Sequence, residues 1–186
     1  MNNHPEEAYR SRQVIEFLTV ANEYCLFLEK AQGYGKEKLL DFTSKISPLL
    51  YLKGTLLPPA ETGEPGAGER FVTQEHWQTL FLMLHETLGA DDLFWYATPE
   101  SDGQVALVKA SLAEHLADIY QDMKDFVLLY QKNLRNSQEI AASEIRLLFS
   151  SHWGIRIAQI QRHVHSLLHG EPDEGSEELK ELLSGI

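Results

Sequence analysis

Apolar side chains recur three and four positions apart along most of this chain, the interval that gathers them on one side of an α-helix. Between Pro5 and Gln32 the stripe is Val14, Phe17, Leu18, Ala21, Cys25 and Leu28, with Glu16, Thr19, Glu23 and Lys30 opposite. Gly33 and Gly35 end this first helix by supplying the backbone freedom of a chain reversal. A second helix is predicted from Lys36 to about Leu57, where Leu39, Leu40, Phe42, Ile46, Leu49, Leu50, Leu52 and Leu56 cover more than one face. Pro48 removes a backbone donor in mid-course, so a kink or a break into two shorter helices is expected near Ser47. A third opens at Thr73, a good N-cap, and closes at Gly89, with Trp77, Leu80, Phe81, Leu84 and Leu88 facing inward. The fourth, from Ser111 to about Leu134, has the clearest stripe: Leu112, Leu116, Ile119, Met123, Phe126 and Tyr130 alternate at four and three. Asn136-Ser137 offers a cap for a long fifth helix from Gln138 to about His169, with Gly154 as a bending or close-packing point.

The segments between are less regular. Pro58 to Glu69 is dense in proline and glycine and holds no apolar side chain larger than alanine, so an exposed, mobile loop is expected. Residues 90–109 hold Asp91-Asp92, Pro99, Ser101-Asp102-Gly103 and the apolar clusters Leu93 to Tyr96 and Val105 to Val108. A helical turn and an extended piece fit that stretch equally well. No pair of segments alternates with period two around a hairpin turn, and no fixed-length repeat occurs. The expected fold is therefore an all-α, up-and-down bundle of about five main helices, occupying residues 1–170 as one domain. Residues 171–186 carry six acidic groups and one lysine, and form an expected weakly docked or disordered tail with helical tendency around Glu177 to Leu183.

Composition narrows the function. The 186 residues hold 28 acidic and 16 basic side chains, a formal net charge of −12. Such a surface repels nucleic-acid phosphates and anionic membranes, and none of the helices opens with the basic residues a recognition helix needs. The most apolar windows, Leu80 to Leu84 and Ile155 to Ile160, are too short to span a bilayer. The N-terminal residues lack a basic stretch followed by an apolar run, so no secretion signal is expected. The single Cys25 excludes an intramolecular disulfide and a four-thiolate metal site. A cytoplasmic protein is the expectation.

Four segments, Val20-Ala21-Asn22-Glu23-Tyr24-Cys25, Pro48 to Lys53, Leu116 to Phe126 and Trp153-Gly154-Ile155-Arg156, resemble those of an uncharacterised bacterial family of about this length. The resemblance covers most of residues 14–168 and is most specific over Leu116 to Phe126. It implies an intracellular bacterial helical protein, and supplies no activity, substrate or catalytic residue.

Candidate chemistry gathers along two helix borders. His115, Asp118 and Asp122 edge the apolar stripe of the fourth helix, and His152, Arg156, Gln159 and His163 edge that of the fifth. Facing one another, they would form a polar seam of mixed charge. A histidine and two carboxylates hold a divalent ion if a neighbouring helix adds a ligand; Asp118 or Asp122 against Arg156 instead makes a plain inter-helix ion pair. The Glu-x-x-His motif of carboxylate-bridged di-metal bundles is absent from the chain. His165 and His169, four apart, fall on the solvent side. No triad order links a histidine with an acid and a nucleophile, and Cys25 lies on an inward stripe. The glycines of Gly63 to Gly68 follow no strand and stand among Glu61, Glu64 and Glu69, which repel phosphate. Phe94, Trp95 and Tyr96 either cap the bundle core or, exposed, anchor an interface. The expectation is a non-catalytic helical module that binds another protein or itself, with no cofactor; the alternative is a bundle that binds a small ligand or divalent metal through the seam.

Overall fold

A computed structural model describes residues 8–59, 68–99 and 103–170. The residues expected to form the Pro58 to Glu69 loop lie mostly outside these, as does the whole acidic tail from Glu171 to Ile186. The described elements are α1 (Arg12–Leu28), α2 (Lys36–Thr55), α3 (Gln74–Leu88), β1 (Leu93–Pro99), β2 (Val105–Ser111), α4 (Leu112–Gln131), α5 (Arg135–Ser151) and α6 (Trp153–His169), with single 3-10 turns at Ala8–Arg10, Ala31–Gly33 and Gly89–Asp92.

The helices begin and end where local chemistry requires it. Ser11 caps α1 by accepting from Val14 N at 3.4 Å, and Thr73 caps α3 by accepting from His76 N at 3.2 Å. Gly89 closes α3 with φ 57°, a left-handed conformation that costs glycine nothing. Ser111 caps α4, its hydroxyl accepting from Glu114 N at 3.0 Å. The expected break at Pro48 does not occur: α2 runs unbroken from Lys36 to Thr55, with Pro48 on its exposed side. The expected long fifth helix does break. It divides at His152, whose φ −139° and ψ −89° are not helical, into α5 and α6, and α5 starts at Arg135, ahead of the anticipated Asn136-Ser137 cap. The division lets Trp153 turn completely inward and donate its indole N–H to the Ile145 carbonyl at 3.1 Å.

α4 is the central element and packs against α1, α3, α5 and α6. Its apolar positions are joined in the core by Phe17, whose ring centroid lies 5.4 Å from those of both Phe126 and Trp153. Tyrosines tie distant elements to it: Tyr24 donates to the Leu116 carbonyl at 2.9 Å, and Tyr130 to the Tyr9 carbonyl at 2.8 Å. Cys25 is buried, and burial raises its thiol far above the ordinary range, as befits a small core residue.

Residues 90–109 resolve into an antiparallel hairpin, with Leu93 opposite Ser111, Trp95 opposite Lys109 and Pro99 opposite Val105. The described residues are therefore mostly helical, with a small two-stranded sheet added to six α-helices. The even-numbered face, led by Phe94, turns toward the helices; Leu93, Trp95, Val105 and Leu107 on the other face remain exposed.

Two glycines govern how closely the helices approach. A Cβ on Gly54 would lie 2.3 Å from the Trp153 ring, and one on Gly154 would lie 2.3 Å from the Phe149 carbonyl oxygen. Gly154→Ala is expected to destabilise the protein by about 2–3 kcal/mol in urea unfolding, because the backbone carbonyl cannot step aside.

Candidate functional site

Spacing on α4 places Asp118, Asp122 and Asp125 four and three residues apart, along a helix that is nearly surrounded. Each carboxylate needs a partner there, since an unpaired buried charge is strongly unfavourable. Asp118 receives Arg156 Nε at 2.7 Å and the Trp77 indole N–H at 3.0 Å, which links α4 to α6 and α3. Asp122 receives His152 Nδ1 at 2.5 Å and stands 3.8 Å from Arg70. Asp125 accepts from the backbone N–H groups of Phe71 and Val72 at 2.7 and 2.9 Å, with Arg70 at 3.3 Å on its other oxygen.

The two helix borders therefore do meet, now as a seam between α4 and α6. His115 joins it through Nε2, 2.9 Å from Gln159 Oε1, while its buried Nδ1 has no hydrogen-bond partner among the described residues. Burial first, with Arg156 nearby, pushes His115 below the ordinary imidazole range, so the ring is neutral at pH 7. Asp118 and Asp122 point to different partners, Arg156 and His152, instead of converging on one point. Among the described residues, no group of three or more His, Cys, Asp or Glu side chains is arranged to hold a metal ion.

The residues Phe94, Trp95 and Tyr96, expected either to cap the bundle core or to anchor an interface, differ in their burial. Phe94 is buried, stacked on the His163 ring at 4.9 Å and edge-on to His115 at 5.6 Å, so it belongs to the core and not to an exposed anchor. Tyr96 is half-buried, and Trp95 faces solvent. His163 stands apart from the carboxylates and donates Nε2–H to the Asp91 carbonyl at 2.7 Å, fixing the start of β1 to α6.

Beside the seam, sharing Gln159 and His163 with it, opens a cleft of about 840 Å³. One wall is β1, every residue from Leu93 to Thr98, with no β2 residue among the described lining; the cleft thus follows the unpaired edge of β1. Ile155, Ala158, Arg162 and Ser166 of α6 form the floor, and Tyr51 and Phe149 close one end. Four of its large apolar residues are substantially open to solvent: Trp95 at 52%, Leu93 at 48%, Ile155 at 47% and Tyr51 at 41%. Sequence reasoning named Phe94, Trp95, Tyr96 and His163 of this lining, but not the cleft they share with Tyr51, Ile155 and Ala158. Its signals were present, however, in the apolar positions of α2 that exceed one-sided packing, and in Ile155, which lies off the inward stripe of its helix.

A further buried carboxylate, away from α4, escaped the sequence reading. Asp92 accepts from Ala113 N at 2.7 Å and from the Ser111 hydroxyl, and pairs with His85 Nδ1 at 2.7 Å. It thereby binds the end of α3, the end of β2 and the start of α4 into one corner.

Two stability predictions follow from the aspartates. Asp125→Ala, which strands two backbone donors, is expected to cost about 3 kcal/mol in chemical denaturation and to exceed the cost of Asp118→Asn. Burial, only partly offset by His152, raises Asp122 above its ordinary 3.8, so the folded state holds this proton more tightly than the unfolded chain. Its contribution is fully present below 3.8 and is lost as pH rises through the folded value. The stability of the wild type relative to Asp122→Asn should therefore decline as pH rises across that window, checked by urea unfolding at several pH values.

No helix among the described residues is long and apolar enough to cross a membrane. No curated protein matches the chain. The fold is similar to the crystal structure of protein BF1032 from Bacteroides fragilis, a structural-genomics target, with a TM-score of 0.78 and 32% identity over 90% of this chain and 99% of that one. A family described as a domain of unknown function, DUF5063, matches residues 9–170, and the chain belongs to that family.

Proposed function

We propose that this protein is a non-catalytic interaction module whose working surface is the cleft between β1 and α6, and that it receives an extended segment of another protein. The observation that carries the reading is the contrast between two neighbouring regions. The polar groups of the seam are almost all engaged within the protein, which suits a structural role, whereas the cleft exposes Trp95, Leu93, Ile155 and Tyr51 side by side. Contiguous exposed apolar surface marks binding sites, and tryptophan and tyrosine contribute much of the energy at protein contacts. The unpaired edge of β1 offers backbone donors and acceptors to an added strand, while the helical floor receives alternate side chains. A cytoplasmic setting suits the single buried thiol of Cys25.

Placing a photoreactive benzoylphenylalanine at Trp95 or Ile155 in the full chain tests this in living cells. Both positions are expected to capture the same protein, and Ile155→Glu to abolish capture from position 95. Equal capture from the remote, exposed Leu134, or none from either cleft position, would refute the reading.

A further inference from the structure

The cleft is charged unlike the rest of the molecule. In a chain where acidic groups outnumber basic ones by 28 to 16, its described lining holds Arg162 and His163 and no carboxylate. Arg162 is exposed, and its guanidinium has no carboxylate partner among the described residues. His163 spends Nε2 on the Asp91 carbonyl, which leaves Nδ1 for a ligand. An apolar trough with a cationic rim suits a segment that combines large aliphatic side chains with carboxylates.

The chain itself contains such a segment. Residues 171–186 carry Leu179, Leu182, Leu183 and Ile186 among six acidic groups and one lysine. They lie beyond residue 170, where the family match ends. Their point of attachment is the helix that floors the cleft: Ser166 lines it, and Gly170 leaves α6 with an extended backbone at φ −69° and ψ 144°. Pro172 cannot prolong the helix, and Gly175 permits a reversal. Sixteen extended residues reach about 50 Å, while the floor from Ile155 to Ser166 measures about 17 Å, so the tether is ample. A covalently attached segment acts at a high effective concentration, so weak individual contacts suffice.

From these observations we infer that residues 171–186 fold back into the cleft of their own chain, with their leucines against Trp95 and Ile155 and their carboxylates beside Arg162. The inference rests on the reading of the cleft as a protein-binding site. It adds that the site is self-occupied and that an outside partner must displace the segment.

The full chain can be tested directly. Because Cys25 is buried, Ser184→Cys provides the one accessible thiol for a nitroxide label. The Trp95 indole signal and the amide signals of Arg162 and Ser166 are expected to be strongly broadened. Arg162→Glu should weaken that broadening about fivefold, since it turns an attraction into a repulsion. Adding Glu177→Lys, Glu178→Lys and Glu181→Lys to Arg162→Glu should restore it, a recovery that misfolding could not produce. Broadening confined to residues next to Gly170, or equal broadening of unlabelled molecules mixed with labelled ones, would overturn the inference. If the segment stays clear while the crosslinker at Trp95 captures another protein, the self-occupancy falls and the binding surface stands. If the segment docks and no protein is captured, the reverse holds.

Discussion

The architecture depends on neutralising three carboxylates on a helix that water scarcely reaches. Asp118, Asp122 and Asp125 place negative charge along α4, the one element that contacts nearly all the others. Several elements around α4 bring a matching donor: Trp77 from α3, Arg156 from α6, His152 from the α5–α6 junction, and Arg70 with two backbone amides from the segment ahead of α3. Apolar burial draws the helices together without direction, whereas these pairings are directional and reject other registers. A rotation of α6 by one position would separate Arg156 from Asp118 and His152 from Asp122 together. The seam thus specifies how the bundle is assembled, whatever else it does.

The same requirement operates at the corner where α3, the hairpin and α4 meet. Asp92 is fully buried and satisfied by Ala113 N, Ser111 and His85, so the hairpin departs from a rigid base. Lys36 reaches Asp91 at 2.6 Å and His163 holds the Asp91 carbonyl, so the base is clamped from α2 and α6 as well. The open edge of β1 consequently lies at a fixed distance from α6, and the cleft between them is a preformed feature of the bundle.

Much of this was legible in the chain because it rests on short-range regularities. The Thr73 and Gly89 caps set α3 within a residue of its observed limits, and the alternating stripe of α4 identified its inner face. The seam was legible for a related reason: polar residues spaced by three and four on two helices define borders that meet once the stripes pack. The hairpin was not. Leu93-Phe94-Trp95-Tyr96 shows no alternation, because the face of the sheet turned from the helices is apolar too. The division at His152 was signalled only by Gly154 beside it; its full extent depends on Trp153 filling a space that Gly54 on another helix leaves open. Pro48 does not break α2, because it sits on the exposed side, where one missing amide bond leaves the carbonyl to water.

The position of α4 also bears on how the polypeptide emerges during synthesis. Tyr24 must wait for Leu116, its acceptor 92 residues farther on, before the face of α1 turned to α4 has anything to close against. At ordinary ribosomal speeds of about 5–20 residues per second, that gap exposes the greasy flanks of the earliest helices for roughly 5–18 s. Nascent chains therefore traverse an interval in which holding factors, or transient pairing of α1 with α2, stand between them and clumping.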